Sequence, residues 1–218
     1  IKEKKMKKDL TELVFILDRS GSMAGLENDT IGGFNGLINQ QKKKNGECLV
    51  SATLFDNVSE LIFDRVNLKN IKPMTENDYT VRGCTALLDA VGDEIKRVEL
   101  IHKYIREEDK PEHTIFVITT DGMENASHKY ILTQIKTMIE EKRKNGWQFL
   151  FLGANIDASE TASSMGISKE CAADYHADSM GTAAVYEALT DAVCGVRDNG
   201  SVGKNWKMKV DEDYKNRK

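Results

Sequence analysis

The chain has 218 residues, 40% hydrophobic and 30% charged, which suits one soluble domain with a well-buried core. A formal charge of −4 gives no electrostatic reason to expect nucleic acid or an anionic membrane as partner, and no apolar run is long enough to span a bilayer. The opening IKEKKMKKDL is basic but lacks the apolar core of a signal peptide, and Cys48, Cys84, Cys171 and Cys194 form no C-x-x-C pair. Zinc sites and disulfide scaffolds are therefore disfavoured, and a reducing, cytoplasmic setting is expected.

Strand-like and helix-like segments alternate along almost the whole chain. LTELVFILD, Leu10 to Asp18, reads as a strand buried on both faces. It is followed by a helical pattern with Ile31, Phe34, Leu37 and Ile38 on one side. CLVSATLFD and ELIFDRVNL are joined only by NVS, which allows an antiparallel hairpin and excludes a crossover helix. From Thr85, the spacing of Leu88, Val91, Ile95, Val98, Ile101 and Ile105 predicts a long amphipathic helix, stopped in the charged run before Pro111.

TIFVITTDG then predicts a second buried strand, and the segment from His128 to Lys144 a helix closed by Gly146. WQFLFLGANI is a further strand, DASETASSMG a short helix and CAADYHA a weaker strand. A last helix carries Val185, Leu189, Ala192, Val193 and Val196 on one side. Beyond Asp198 the segment NGSVGKNWKMKVDEDYKNRK shows no period and is expected to be a tail docked through Trp206. The expected division is a basic segment at 1–9, one α/β domain at 10–197 and a charged tail at 198–218. Its sheet should be mostly parallel with one antiparallel edge strand and helices on both faces.

In such a sheet, ligands collect beyond the carboxyl ends of the strands, where the strand order reverses. Asp18 ends the first strand and Asp121 ends IFVITTDG, so both carboxylates are expected at that crevice. Ser20 and Ser22 follow Asp18 in the same turn, and Thr85 opens the long helix. Two carboxylates and three hydroxyls, with no nitrogen or sulfur donor needed, suit Mg²⁺ or Mn²⁺ better than Zn²⁺. His102, His113, His128 and His176 show no ligand spacing. Glu124 is expected near a helix N-terminus rather than at the site.

DRSGSM at Asp18 to Met23 resembles the D-x-S-x-S signature of the von Willebrand factor A (VWA) domain family. GCTALLDAV resembles that family's threonine segment, and ITTDG its second aspartate. The resemblance covers roughly residues 10–196. It implies a doubly wound, Rossmann-like fold with strand order 3-2-1-4-5-6. It also implies a metal-ion-dependent adhesion site (MIDAS) formed by Asp18, Ser20, Ser22, Thr85 and Asp121. The ion would be Mg²⁺ or Mn²⁺ ahead of Ca²⁺, and an acidic side chain of a partner protein would fill its open position. Where the family often has glycine before the threonine, this chain has Cys84: either a thiol close to the metal or a small side chain that fits.

Three functions follow for comparison. The leading expectation is a non-enzymatic, divalent-cation-dependent module that binds Asp or Glu of another protein in a bacterial cytoplasm. The alternative is a VWA subunit of an ATPase-linked or stress-resistance complex; the chain has no P-loop of its own, since GSVGKN lacks the spacing and the Ser or Thr. The third is a metal-dependent hydrolase. It is weakened because the position two residues after Asp18 is Ser20, not a second aspartate, and no histidine stands near either motif.

Overall fold

The computed structural model describes residues 7–217. Most of the basic segment expected at 1–9 therefore lies outside the described residues, and its end already belongs to the first strand. In chain order the elements are β1 (Lys7–Asp18), α1 (Glu27–Lys42), β2 (Glu47–Phe55), β3 (Ser59–Asn67), α2 (Leu87–Tyr104) and β4 (Pro111–Thr120). They continue with α3 (Leu132–Lys144), β5 (Gln148–Ala154), α4 (Ala158–Ser164), β6 (Ala172–Tyr175), α5 (Ser179–Asn199) and α6 (Met208–Asn216).

The six strands form one sheet in the order β3-β2-β1-β4-β5-β6. Every neighbouring pair is parallel except β2 and β3, the hairpin at one edge. The unbroken apolar run of β1 is explained by the two layers it feeds. Leu13, Phe15 and Leu17 face a core shared with Phe34 and Leu37 of α1 and Leu189 and Val193 of α5. Val14 and Ile16 face the other core, with Leu87, Val91 and Ile95 of α2 and Ile135 and Ile139 of α3. Successive strand side chains point to opposite faces, and here both faces are covered. Each such buried aliphatic or aromatic side chain contributes roughly 1.5–3 kcal/mol. The Phe15 and Phe34 rings add an edge-to-face contact with centroids 5.1 Å apart.

Three boundaries differ from the sequence expectation. α2 stops at Tyr104, where Ile105 turns extended, well before Pro111. Pro111 does not terminate the helix; it opens β4, a strand position where a missing N–H does little harm. α3 begins at Leu132 rather than His128, because His128, Lys129 and Tyr130 donate their backbone N–H groups to Asp89 of α2. The periodless C-terminal stretch includes α6, a short helix with one buried residue, Val210. Trp206 ahead of it is buried and donates its indole N–H to the Glu170 carbonyl at 2.8 Å.

β1 lies between β2 and β4, so the connections leaving it and β4 run to opposite faces. Their carboxyl ends therefore open a crevice at the middle of the sheet. Asp18 ends one of these strands, and Asp121 follows the other.

Candidate metal centre

The turn after β1 builds itself locally. One carboxylate oxygen of Asp18 accepts the Ser20 N–H at 2.7 Å, a side-chain turn that suits aspartate at this place. The other oxygen accepts the Thr120 hydroxyl at 2.6 Å, tying the ends of β1 and β4 together. Ser20 is extended, and Gly21–Met23 then form a single 3₁₀ turn. That turn brings the Ser20 and Ser22 hydroxyls to 3.1 Å from each other. Thr85, arriving from the β3–α2 connection, donates its hydroxyl to Ser20 Oγ at 3.1 Å.

Asp121 joins through its neighbour. A Cβ placed on Gly122 would lie 3.3 Å from Ser22 Oγ and 3.4 Å from Thr85 Oγ1, so a glycine lets this segment press against both hydroxyls. Asp18, Ser20, Ser22, Thr85 and Asp121 thus converge from three separate stretches of chain.

The electrostatics of the cluster are unbalanced. Asp18 and Asp121 are 1% and 2% exposed. Burial pushes the Asp18 carboxyl up from the ordinary value, although hydrogen bonds from Ser20 and Thr120 pull it down. Burial also raises the Asp121 carboxyl; the nearby Ser22 hydroxyl offsets part of this, and the Asp18 charge adds to it. Neither carboxylate oxygen of Asp121 makes a hydrogen bond of regular geometry, the Ser22 hydroxyl being a donor close by. Among the described residues no ion pair reaches either aspartate: buried Arg19 turns away to Asp56 and Glu60. Two buried carboxylates without a counter-ion are costly, and a cation bound between them would relieve that cost.

No protein-family model matches this sequence, and no curated protein does. Solved structures do. The VWA domain of SpRpn10 aligns over 82% of this chain and 94% of its own length, with a TM-score of 0.56 at 14% identity. The chain has the von Willebrand factor A fold. The manganese-loaded TRAP protein of Plasmodium vivax aligns over 77% of this chain and 69% of its own, with a TM-score of 0.55 at 15% identity. Proximal thread matrix protein 1 from the mussel byssus, with a zinc-occupied MIDAS motif, aligns over 84% of this chain at a TM-score of 0.57 and 15% identity. This chain matches 46% of the mussel protein's length, less than half of it.

On this VWA fold, several residues that support the cluster escaped the sequence reading. Thr85 is not the N-cap of α2; that position is Ala86, which makes no side-chain cap. Glu124 caps instead, accepting the Leu88 N–H at 2.8 Å, and Ser127 accepts the Asp89 N–H at 3.0 Å. Glu124 therefore sits at a helix N-terminus, as its charge suggests, but at that of α2 and not of a helix following it. With capping done elsewhere, the Thr85 hydroxyl is left to the cluster. Asn125 fixes the Thr85 backbone by accepting its N–H at 2.9 Å and donating its own to the Thr85 carbonyl at 3.0 Å.

Gly83 has a φ of +72°, and a Cβ there would meet Asn57 Oδ1 at 2.2 Å, so this position takes only glycine. Asn57 then accepts the Cys84 N–H at 2.8 Å while the Cys84 side chain is exposed. The sequence carried a signal for Gly83 but none for Asn57 or Asn125, whose partners are far away in the chain. Among the described residues no three His, Cys, Asp or Glu side chains cluster as a metal site. The candidate donor set is two carboxylates and three hydroxyls, a hard, all-oxygen set.

Proposed function

We propose that this VWA domain is a protein-binding module that grips an acidic side chain of its partner through a divalent cation, Mg²⁺ or Mn²⁺, and that it acts by binding, not catalysis. The observation that carries the reading is the Asp121 carboxylate, buried with neither oxygen in a regular hydrogen bond, beside a second buried carboxylate and three hydroxyls. Asp18, Ser20, Ser22, Thr85 and Asp121 would hold the ion, and because three of these donors are neutral it would keep enough positive charge to attract one more anionic oxygen.

A binding role is also supported by what surrounds the serines. The Ser20 hydroxyl meets the Ser22 and Thr85 hydroxyls. His102 is engaged with Glu12, and His176 with the Tyr214 carbonyl. A serine nucleophile would need a base within hydrogen-bond reach.

The test is a carboxylate titration of Mn²⁺-loaded protein, using glutarate as a mimic of a glutamate side chain and water-proton relaxation as the readout. The expected result is saturable loss of relaxation enhancement as the carboxylate displaces water from bound Mn²⁺, with no such effect in Asp18→Ala. Mn²⁺ bound with unchanged relaxation at every glutarate concentration would refute an open, anion-seeking position.

A further inference from the structure

We infer that Tyr79 and Asp56 are positioning residues for the metal centre: together they fasten the Asp18–Ser22 turn to the Gly83–Thr85 segment, so that donors from both are preset before a cation arrives. The inference rests on the reading above that these donors take a divalent cation.

The turn is held from one side by residues 79–83 of the connection between β3 and α2. Tyr79 is almost fully buried and donates its phenol to the Asp18 carbonyl. The Arg82 N–H donates to the Arg19 carbonyl at 2.8 Å, and the Gly21 N–H donates to the Gly83 carbonyl at 3.1 Å. The backbone that presents Asp18, Ser20 and Ser22 is therefore bonded, nearly residue by residue, to the stretch that delivers Thr85.

Asp56, the residue after β2, locks the same two stretches through their side chains. Its Oδ2 accepts Arg19 Nε at 2.9 Å and Arg82 Nε at 2.8 Å, one arginine from each side of the seam. Its other oxygen accepts the Val58 N–H at 3.0 Å, and its carbonyl accepts the Ala86 N–H at 3.0 Å. Burial raises the Asp56 carboxyl, but the Arg82 guanidinium, the Val58 N–H and the Arg19 guanidinium together hold it below the ordinary value. Arg19, next in sequence to Asp18, thereby has its charge committed to Asp56 and Glu60, and the Asp18–Asp121 pair keeps its own demand for a cation.

Groups that orient metal ligands from behind typically change metal affinity by roughly 10–100-fold when removed. The experiment is a Mn²⁺ titration followed by the electron paramagnetic resonance of free Mn²⁺, with melting of the metal-free protein measured alongside. The variants are Tyr79→Phe, Asp56→Asn and, as a control, Glu12→Gln, which removes the buried charge facing His102 and Arg65 toward the other end of β1. The expected result is a dissociation constant raised about tenfold or more in Tyr79→Phe and Asp56→Asn. Glu12→Gln should melt lower and bind Mn²⁺ as the wild type does.

Wild-type affinity in Tyr79→Phe and Asp56→Asn would overturn the inference while leaving the metal reading intact. An equal loss in Glu12→Gln would also overturn it, by tracing the effect to general stability. If Tyr79→Phe does not fold, Asp56→Asn decides. A wild-type protein that binds no Mn²⁺ would instead remove the metal reading, and the inference with it.

Discussion

The proposed cation site bears most directly on Asp121, a buried carboxylate. Its carboxylate is out of water, without a regular hydrogen bond and next to another buried carboxylate, so the metal-free protein carries an uncompensated charge. Replacing it by asparagine keeps the shape and removes the charge. Asp121→Asn is expected to melt higher than the wild type in EDTA, by about 1–3 kcal/mol, while losing any stabilisation by Mg²⁺. The pH dependence has a definite sign. Because the folded carboxyl is raised, protonated wild type keeps its full stability below the ordinary value of 3.8 and loses it as pH rises through the folded value. The gap between variant and wild type in EDTA should thus be widest near neutral pH and close as pH falls. Thermal melts from pH 4 to 8 check this, and a gap independent of pH would contradict it.

At the scale of elements, the site depends on α2 starting in the right place. Its first turn lacks a cap of its own, and Glu124, from the loop that carries Asp121, supplies one. The same carboxylate gathers the Ala126 and Ser127 N–H groups at 2.9 and 2.8 Å, so one side chain links the Asp121 loop to the helix behind Thr85. Glu124→Ala is expected to destabilise by about 1–2 kcal/mol, as lost helix caps do. In a chain of this size each 1 kcal/mol corresponds to roughly 2–4 °C in melting temperature, well within the reach of calorimetry. A variant melting like the wild type would show that Ser127 suffices as the cap. Asp89 makes the reverse link. Burial works against its charge, but three backbone N–H groups hold its carboxyl below the ordinary value and pin the start of α3.

For the whole molecule, both helical layers were legible because the long strands and helices repeat their apolar signal, whereas the strand order followed from the family resemblance. β1 is the clearest case: Leu13–Leu17, buried on both faces, are apolar without a break. That Asp18, Ser20, Ser22, Thr85 and Asp121 come together was legible because they lie in short segments at strand and helix ends. Tyr79, Asp56 and Asn57 were not, since their roles come from contacts made across long stretches of sequence and their loops carry no period. α6 was missed because its only buried residue is Val210, too little for a periodic signal. The C-terminal segment is nonetheless anchored: Trp206 is buried, and its indole N–H is bonded to Glu170. Trp206→Ala is expected to cost about 3–5 kcal/mol and to speed proteolysis near Gly200–Gly203. A wild-type melting temperature would contradict that docking.

The proposed divalent-cation site of Asp18, Ser20, Ser22, Thr85 and Asp121 can be tested by melting the wild type and Asp18→Ala, each in EDTA and in excess Mg²⁺ or Mn²⁺. An ion that binds only the folded state, at a hundredfold its dissociation constant, stabilises by about 2.7 kcal/mol, or roughly 5–10 °C here. That shift is expected in the wild type, and none in Asp18→Ala. No shift in the wild type, or an equal shift in both proteins, would contradict it.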